Sequence, residues 1–194
     1  QLFQAEYAVF RREMAANRDF AVHCRTAKEA DAAFRAGKCA AFLSVEGAEL
    51  LDCDLEKLDE AYRLGVRAVN ITWNHANVLS GSNAEEKDRG LSERGKAFVR
   101  RMDRLGMLVD VSHLSEPGFW DVAELTEGAF IASHSVSAVL CDHPRNLKDE
   151  QFALIRDRGG LVGLNLCGSQ LGEQSFEQLE RHLYHYLSLD GEST

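Results

Sequence analysis

A short run of apolar and β-branched residues, a polar turn, an amphipathic stretch of helical period and a glycine follow one another repeatedly along this chain. The runs occupy residues 20–24, 39–45, 66–73, 107–113, 129–134 and 161–166. None alternates cleanly between apolar and polar residues. Strands covered on both faces behave in this way, and parallel sheets are the usual case. The repeated order therefore predicts an α/β fold of consecutive β-α units, either a doubly wound sheet or a (β/α)8 barrel.

The helices between the runs carry identifiable ends. Thr26 followed by Glu29 forms a capping-box pattern, and the helix it opens stops before Gly37. Asp52 or Asp54 can cap a helix that runs to Arg63-Leu64-Gly65, and Ser92 one that runs to Arg104-Leu105-Gly106. Ser115, with Pro117 in the first turn, opens the next, and Arg156 to Gly160 closes another, glycine supplying the left-handed residue. An amphipathic helix over Leu2–Ala16 is expected on the outside. With two prolines and no Gly/Ser linker, residues 1–194 read as one domain.

Charge narrows the partners. Asp and Glu outnumber Lys and Arg by 31 to 22, a net charge of −9, which argues against a nucleic-acid backbone as partner. The one dense basic stretch, 94–104, reads as the wet face of a helix. No run approaches the ~20 apolar residues of a membrane helix, and the first ten residues lack a secretory pattern. The five cysteines are odd in number and contain no Cys-x-x-Cys pair, which fits reduced thiols and a cytoplasmic location.

In a parallel α/β fold the chemistry sits at the carboxyl ends of the strands. The polar residues there are Glu46, Asn74 with His75, His113, His134 and Asn165. A carboxylate and two imidazoles from three strand ends, Glu46, His113 and His134, can form a three-ligand metal site with a position open for water. Each alone is as well explained by a hydrogen-bonded structural residue; the coincidence favours a site. Arg145, in the loop after the His134 strand, can grip a substrate carboxylate in a bidentate pair or simply pair with Asp142. His182 and His185, three apart on an expected helix over 176–187, read as a solvated face. Met102 and Met107 read as core fillers.

Ser44-Val45-Glu46-Gly47, the run Arg104-Leu105-Gly106-Met107-Leu108-Val109-Asp110-Val111-Ser112-His113-Leu114-Ser115, Ala132-Ser133-His134-Ser135 and Arg145-Asn146 together resemble the renal or membrane dipeptidase family of zinc metallopeptidases. The resemblance extends from about Cys24 to near the C-terminus. It implies a (β/α)8 barrel with a two-zinc centre that hydrolyses dipeptides through a bridging water. Glu46 matches the carboxylate that bridges the metals, His113 and His134 the imidazoles of one metal, and Arg145 the arginine for the terminal carboxylate. With Asn77 as the anchor, a substrate-polarising histidine of some members aligns with Asn74, leaving His75 one position away.

Two features depart from the family pattern. No His-x-Asp occurs in the chain, although the family's first strand uses one to complete the second metal, so one zinc at most is supported here. The family's later Asp-Phe-Asp-Gly-like strand end is absent as well. An eight-unit barrel takes about 250 residues, so 194 accommodates about six units. The expectation is a barrel lacking its first strand and a C-terminal part, with exposed edges that make it aggregation-prone or ready to be completed by another segment. Three functions stay open: a zinc dipeptidase, a non-catalytic remnant with at most one metal, and another metal-dependent barrel hydrolase. A homodimer is allowed by all three.

Overall fold

The computed structural model describes residues 2–190. The elements follow one another as α1 (Leu2–Ala16), β1 (Ala21–His23), α2 (Ala27–Arg35), β2 (Cys39–Ala41), β3 (Leu43–Val45), a 3-10 turn (Ala48–Leu51) and α3 (Leu55–Leu64). Then come β4 (Val66–Asn70), α4 (Glu93–Leu105), β5 (Leu108–Asp110), α5 (Glu116–Leu125), α6 (Asp149–Asp157), α7 (Gly168–Leu171) and α8 (Phe176–Ser188).

All the strand pairs named here are parallel. β1 pairs with β2, β3 with β4 and β4 with β5. Single parallel bridges extend the second sheet from Asp110 to Ile131 and from Ala132 to Val162. Within each sheet, every strand therefore lies beside its neighbour in sequence. A doubly wound sheet reverses its strand order at a switch point; this chain does not, and its strands form part of a (β/α) barrel.

Three expected strands differ. The run 39–45 is broken at Phe42 into β2 and β3, which belong to separate sheets, with a register shift at Leu43/Ser44. The first half follows β1 and the second follows β4, and half-exposed Phe42 is the pivot. The runs 129–134 and 161–166 are held only by their single bridges, although their backbones are tied across by Ala132 N–H to Leu161 O at 3.0 Å and Gly163 N–H to Ala132 O at 2.8 Å.

The helix ends follow local chemistry. Thr26, Asp54, Ser92 and Ser115 each accept a backbone N–H from the first turn of α2, α3, α4 and α5. α4 turns Phe98, Val99 and Met102 inward and Arg94, Arg100 and Arg104 to water, so the basic stretch is a solvated face. Those residues pack with Val69, Val109 and Phe119 in one apolar core that also takes in Met107. Burial on both faces holds for the middle strands β4 and β5 but not for β1 and β2, which are half-exposed or exposed. Large apolar side chains stay exposed beside both outer strands, Phe20, Phe34 and Phe42 near β1 and β2, and Leu161 and Leu166 flanking Val162.

The reading of His182 and His185 as a solvated face is overturned. His182 is fully buried; its Nδ1 accepts the Ser137 N–H at 3.1 Å and its Nε2 lies 3.2 Å from the Leu171 carbonyl. His185 meets Asp149 at 2.7 Å. Helix α8 packs this edge inward because Phe152 and Tyr186 stack with centroids 4.1 Å apart. All five cysteines are free, Cys24 and Cys53 buried and Cys39 and Cys167 exposed.

Candidate metal centre

Three of the strand ends converge. Glu46 leaves β3 into a turn made by Gly47, whose φ of 95° lies in the left-handed half of the map. A Cβ at that glycine would stand 3.3 Å from the Trp73 Cβ and closer still to the Glu49 carboxylate. His113 follows β5 and itself has φ 73°, a conformation that costs an L-residue about 1–2 kcal/mol. Its carbonyl is held by two donors, the Asn83 N–H at 2.9 Å and the Thr72 hydroxyl at 3.3 Å. His134 leaves the segment bridged to β5 at Asp110.

The His113 Nε2 lies 3.0 Å from Glu46 Oε1 and 2.9 Å from His134 Nε2, and His134 Nε2 lies 3.4 Å from the same carboxylate oxygen. Burial pushes the His113 imidazole down to about 3, with the charge of Arg145 and the neighbouring His134 adding to it. Burial and Arg145 also lower His134, against the pull of Asp110 and Glu46. Both rings are therefore neutral near pH 7, the form in which an imidazole offers a lone pair to a metal.

The donor set fits a divalent cation. Two imidazole nitrogens and a carboxylate oxygen suit zinc and neighbouring ions, and ligands at ~2.1 Å around a tetrahedral ion stand about 3.4 Å apart. The three separations here, 2.9, 3.0 and 3.4 Å, come close to that edge. The Ser133 hydroxyl sits 2.7 Å from His134 Nδ1. As acceptor it fixes the tautomer that leaves Nε2 bare.

Sequence reading missed the residue that ties the two histidines together. Asp110, the last residue of β5 and almost fully buried, accepts through one oxygen the N–H of Ser112 at 3.0 Å and of Ser133 at 3.1 Å. These are the residues before His113 and His134. Ser112 adds a third tie, its hydroxyl accepting the His134 N–H at 3.2 Å. The signal was available: a carboxylate inside the apolar run Leu108-Val109-Asp110-Val111 must be hydrogen-bonded when buried.

Arg145 is 8% exposed and stands behind the histidines, its Nη2 donating to the His134 carbonyl at 3.3 Å. Burial lowers its guanidinium, while Asp110 and Glu46 stabilise the charge. Among the described residues no ion pair joins it to Asp142. Asn74 and His75 do not enter the cluster: the Asn74 carbonyl accepts the Ser82 hydroxyl at 3.0 Å, and the exposed His75 ring faces Glu85 at 2.8 Å. Asn165 reaches the same region, with its Nδ2 on the Gln170 side chain at 2.7 Å and near the His134 carbonyl at 3.5 Å.

Parallel β-α units presenting a carboxylate and two imidazoles at the strand ends define a barrel protein with a candidate metal centre. The family described as "Membrane dipeptidase (Peptidase family M19)" matches residues 1–193. A protein encoded in the pqqA 5′ region of Klebsiella pneumoniae is 34% identical over 161 residues, covering 76% of this chain and 59% of its own length. A solved dipeptidase AC, a metallopeptidase of family M19, superposes with TM-score 0.84 at 34% identity, covering 93% of this chain and 56% of its own. The metallopeptidase of Rhodobacter sphaeroides, solved with a phosphinate mimic of the dipeptide L-Ala-D-Ala, superposes with TM-score 0.84 at 32% identity over 95% of this chain and 56% of its own. The chain belongs to the membrane dipeptidase family, peptidase family M19. It spans a little over half the length of these relatives.

Proposed function

We propose that this chain carries the zinc-binding and substrate-gripping part of a dipeptidase that hydrolyses the peptide bond of dipeptides. The observation that carries the reading is the convergence of Glu46, His113 and His134 within 4.8 Å of one another at the strand ends. Support also comes from relatives named as dipeptidases and from the R. sphaeroides enzyme's L-Ala-D-Ala mimic.

Glu46 Oε1 and the Nε2 atoms of His113 and His134 would hold the ion. Bound there, it supplies Lewis acidity and a nucleophilic water at neutral pH. Asp110 keeps the two imidazoles in register through the backbone N–H groups before them. Arg145 spends one of its five donors on the His134 carbonyl, and its guanidinium would receive the dipeptide's terminal carboxylate. That anchor orients the scissile carbonyl toward the metal. A cytoplasmic location rests on the odd cysteine count and the five unpaired thiols.

The test is zinc stoichiometry by elemental analysis together with L-Ala-D-Ala hydrolysis, for the chain and for Glu46→Gln. Zinc uptake, with both uptake and hydrolysis lost in the variant, is the expected result. Hydrolysis that survives exhaustive chelation refutes the metal-dependent reading. One loosely held zinc without hydrolysis assigns the chain to a non-catalytic remnant instead.

A further inference from the structure

Beside His113 lies a cavity of about 180 Å³ lined by Asn83, His113, Arg145, Asn146 and Gln151 among others. Three of these residues bring buried polar atoms without a hydrogen-bond partner among the described residues: both amide atoms of Asn83, the Nδ1 of His113 and the Oδ1 of Asn146. Asn83 is 5% exposed and His113 7%. Such atoms are expensive to bury dry.

Asn83 is held against His113 by the backbone. Ser82 bridges Leu114 in antiparallel fashion, and the Asn83 N–H donates to the His113 carbonyl at 2.9 Å. The carboxamide and the outer ring nitrogen thus belong to neighbouring residues that line the same cavity. A buried water needs two to four polar partners, and the residues lining this cavity carry four such atoms unpartnered.

A metal-ligating histidine donates its other ring N–H to a carboxylate, a carbonyl or a water, which fixes ring and tautomer. For His134 that partner is Ser133; for His113 no hydrogen-bond partner is found among the described residues. We propose that Asn83 is the positioning residue for His113: its Oδ1 accepts, through ordered water in this cavity, the Nδ1–H of the imidazole and leaves Nε2 as the ligand atom. The inference rests on the metal-site reading for His113.

The experiment is zinc titration by calorimetry of the full chain as wild type, Asn83→Leu and Asn83→Asp, with the His113 Nδ1–H followed by 15N-resolved NMR in the zinc-loaded forms. Thermal melting of the metal-free proteins is the control. Leucine matches the side chain in size without its polar atoms and should weaken zinc binding by about 10- to 100-fold, with faster exchange of the Nδ1–H. Aspartate keeps the acceptor and should bind zinc at least as tightly as wild type, with a protected Nδ1–H. Wild-type affinity in Asn83→Leu overturns the inference, and so does an equal loss in a folded Asn83→Asp. A wild-type chain that binds no zinc overturns the metal-site reading and the inference with it.

Discussion

Replacing Asp110 by alanine removes the side-chain acceptor that the Ser112 and Ser133 N–H groups share. The buried Ser112 N–H left without an acceptor costs about 1–3 kcal/mol, and the half-buried Ser133 N–H, which water can reach, adds less, against a stability of about 5–15 kcal/mol. For a chain of this size 1 kcal/mol moves the melting midpoint by about 2–4 °C, which places the Asp110→Ala midpoint at least ~2 °C below wild type. Asp110→Asn keeps an oxygen in the same place but loses the charge that strengthens both bonds, and should lose about half as much. Urea and thermal denaturation of the chelated proteins measure both, and zinc titration should show Asp110→Ala weakened beyond Asp110→Asn, because the ties run to the residues before His113 and His134. An Asp110→Ala midpoint within ~1 °C of wild type would refute the clasp, since water reaching both N–H groups would have to replace the carboxylate at no cost.

Other outcomes follow from the same geometry. His113 is lowered to about 3 from an ordinary value of 6.5, so between those values the unfolded chain binds a proton that the folded chain refuses. The stability of the metal-free protein should then be full above pH 6.5 and fall as pH drops toward 3. His113→Asn should flatten that slope in urea midpoints measured at pH 7 and pH 5; identical slopes would contradict the assignment. Arg145→Ala should raise KM for dipeptides by about 10- to 100-fold with a smaller change in kcat, and a dipeptide amide, lacking the carboxylate, should be nearly indifferent to the substitution. Gly47→Ala forces an L-residue into φ 95° against Trp73, at a cost of about 1–2 kcal/mol, and should weaken zinc binding because Glu46 is the adjoining residue; an unchanged melting midpoint would show that the turn relaxes freely.

Much of the scaffold was legible because its determinants are local. Thr26, Asp54, Ser92 and Ser115 cap the helices that follow them since a side-chain oxygen reaches an N–H two or three residues on. The strand ends carrying Glu46, His113 and His134 could be located from apolar runs, and the family resemblance gave them roles. Phe42 could not be read as a break, because the run 39–45 is continuous in composition and divides only when its halves pair with different partners. The burial of His182 likewise depends on Ser137, 45 residues away.

The order of β and α elements, the helix ends and the residues standing at the strand ends were determined by the sequence alone, since each rests on periodicity or hydrogen bonds within one turn. Tertiary structure decided which of those residues meet. The Glu46 carboxylate and the His113 ring are 67 residues apart, and Asp110 reaches across 23 residues to Ser133. Asn83 stands beside His113 only through an antiparallel bridge formed outside the main sheet. Such contacts are set by strand register, and a shift of one residue would turn these side chains to the opposite face.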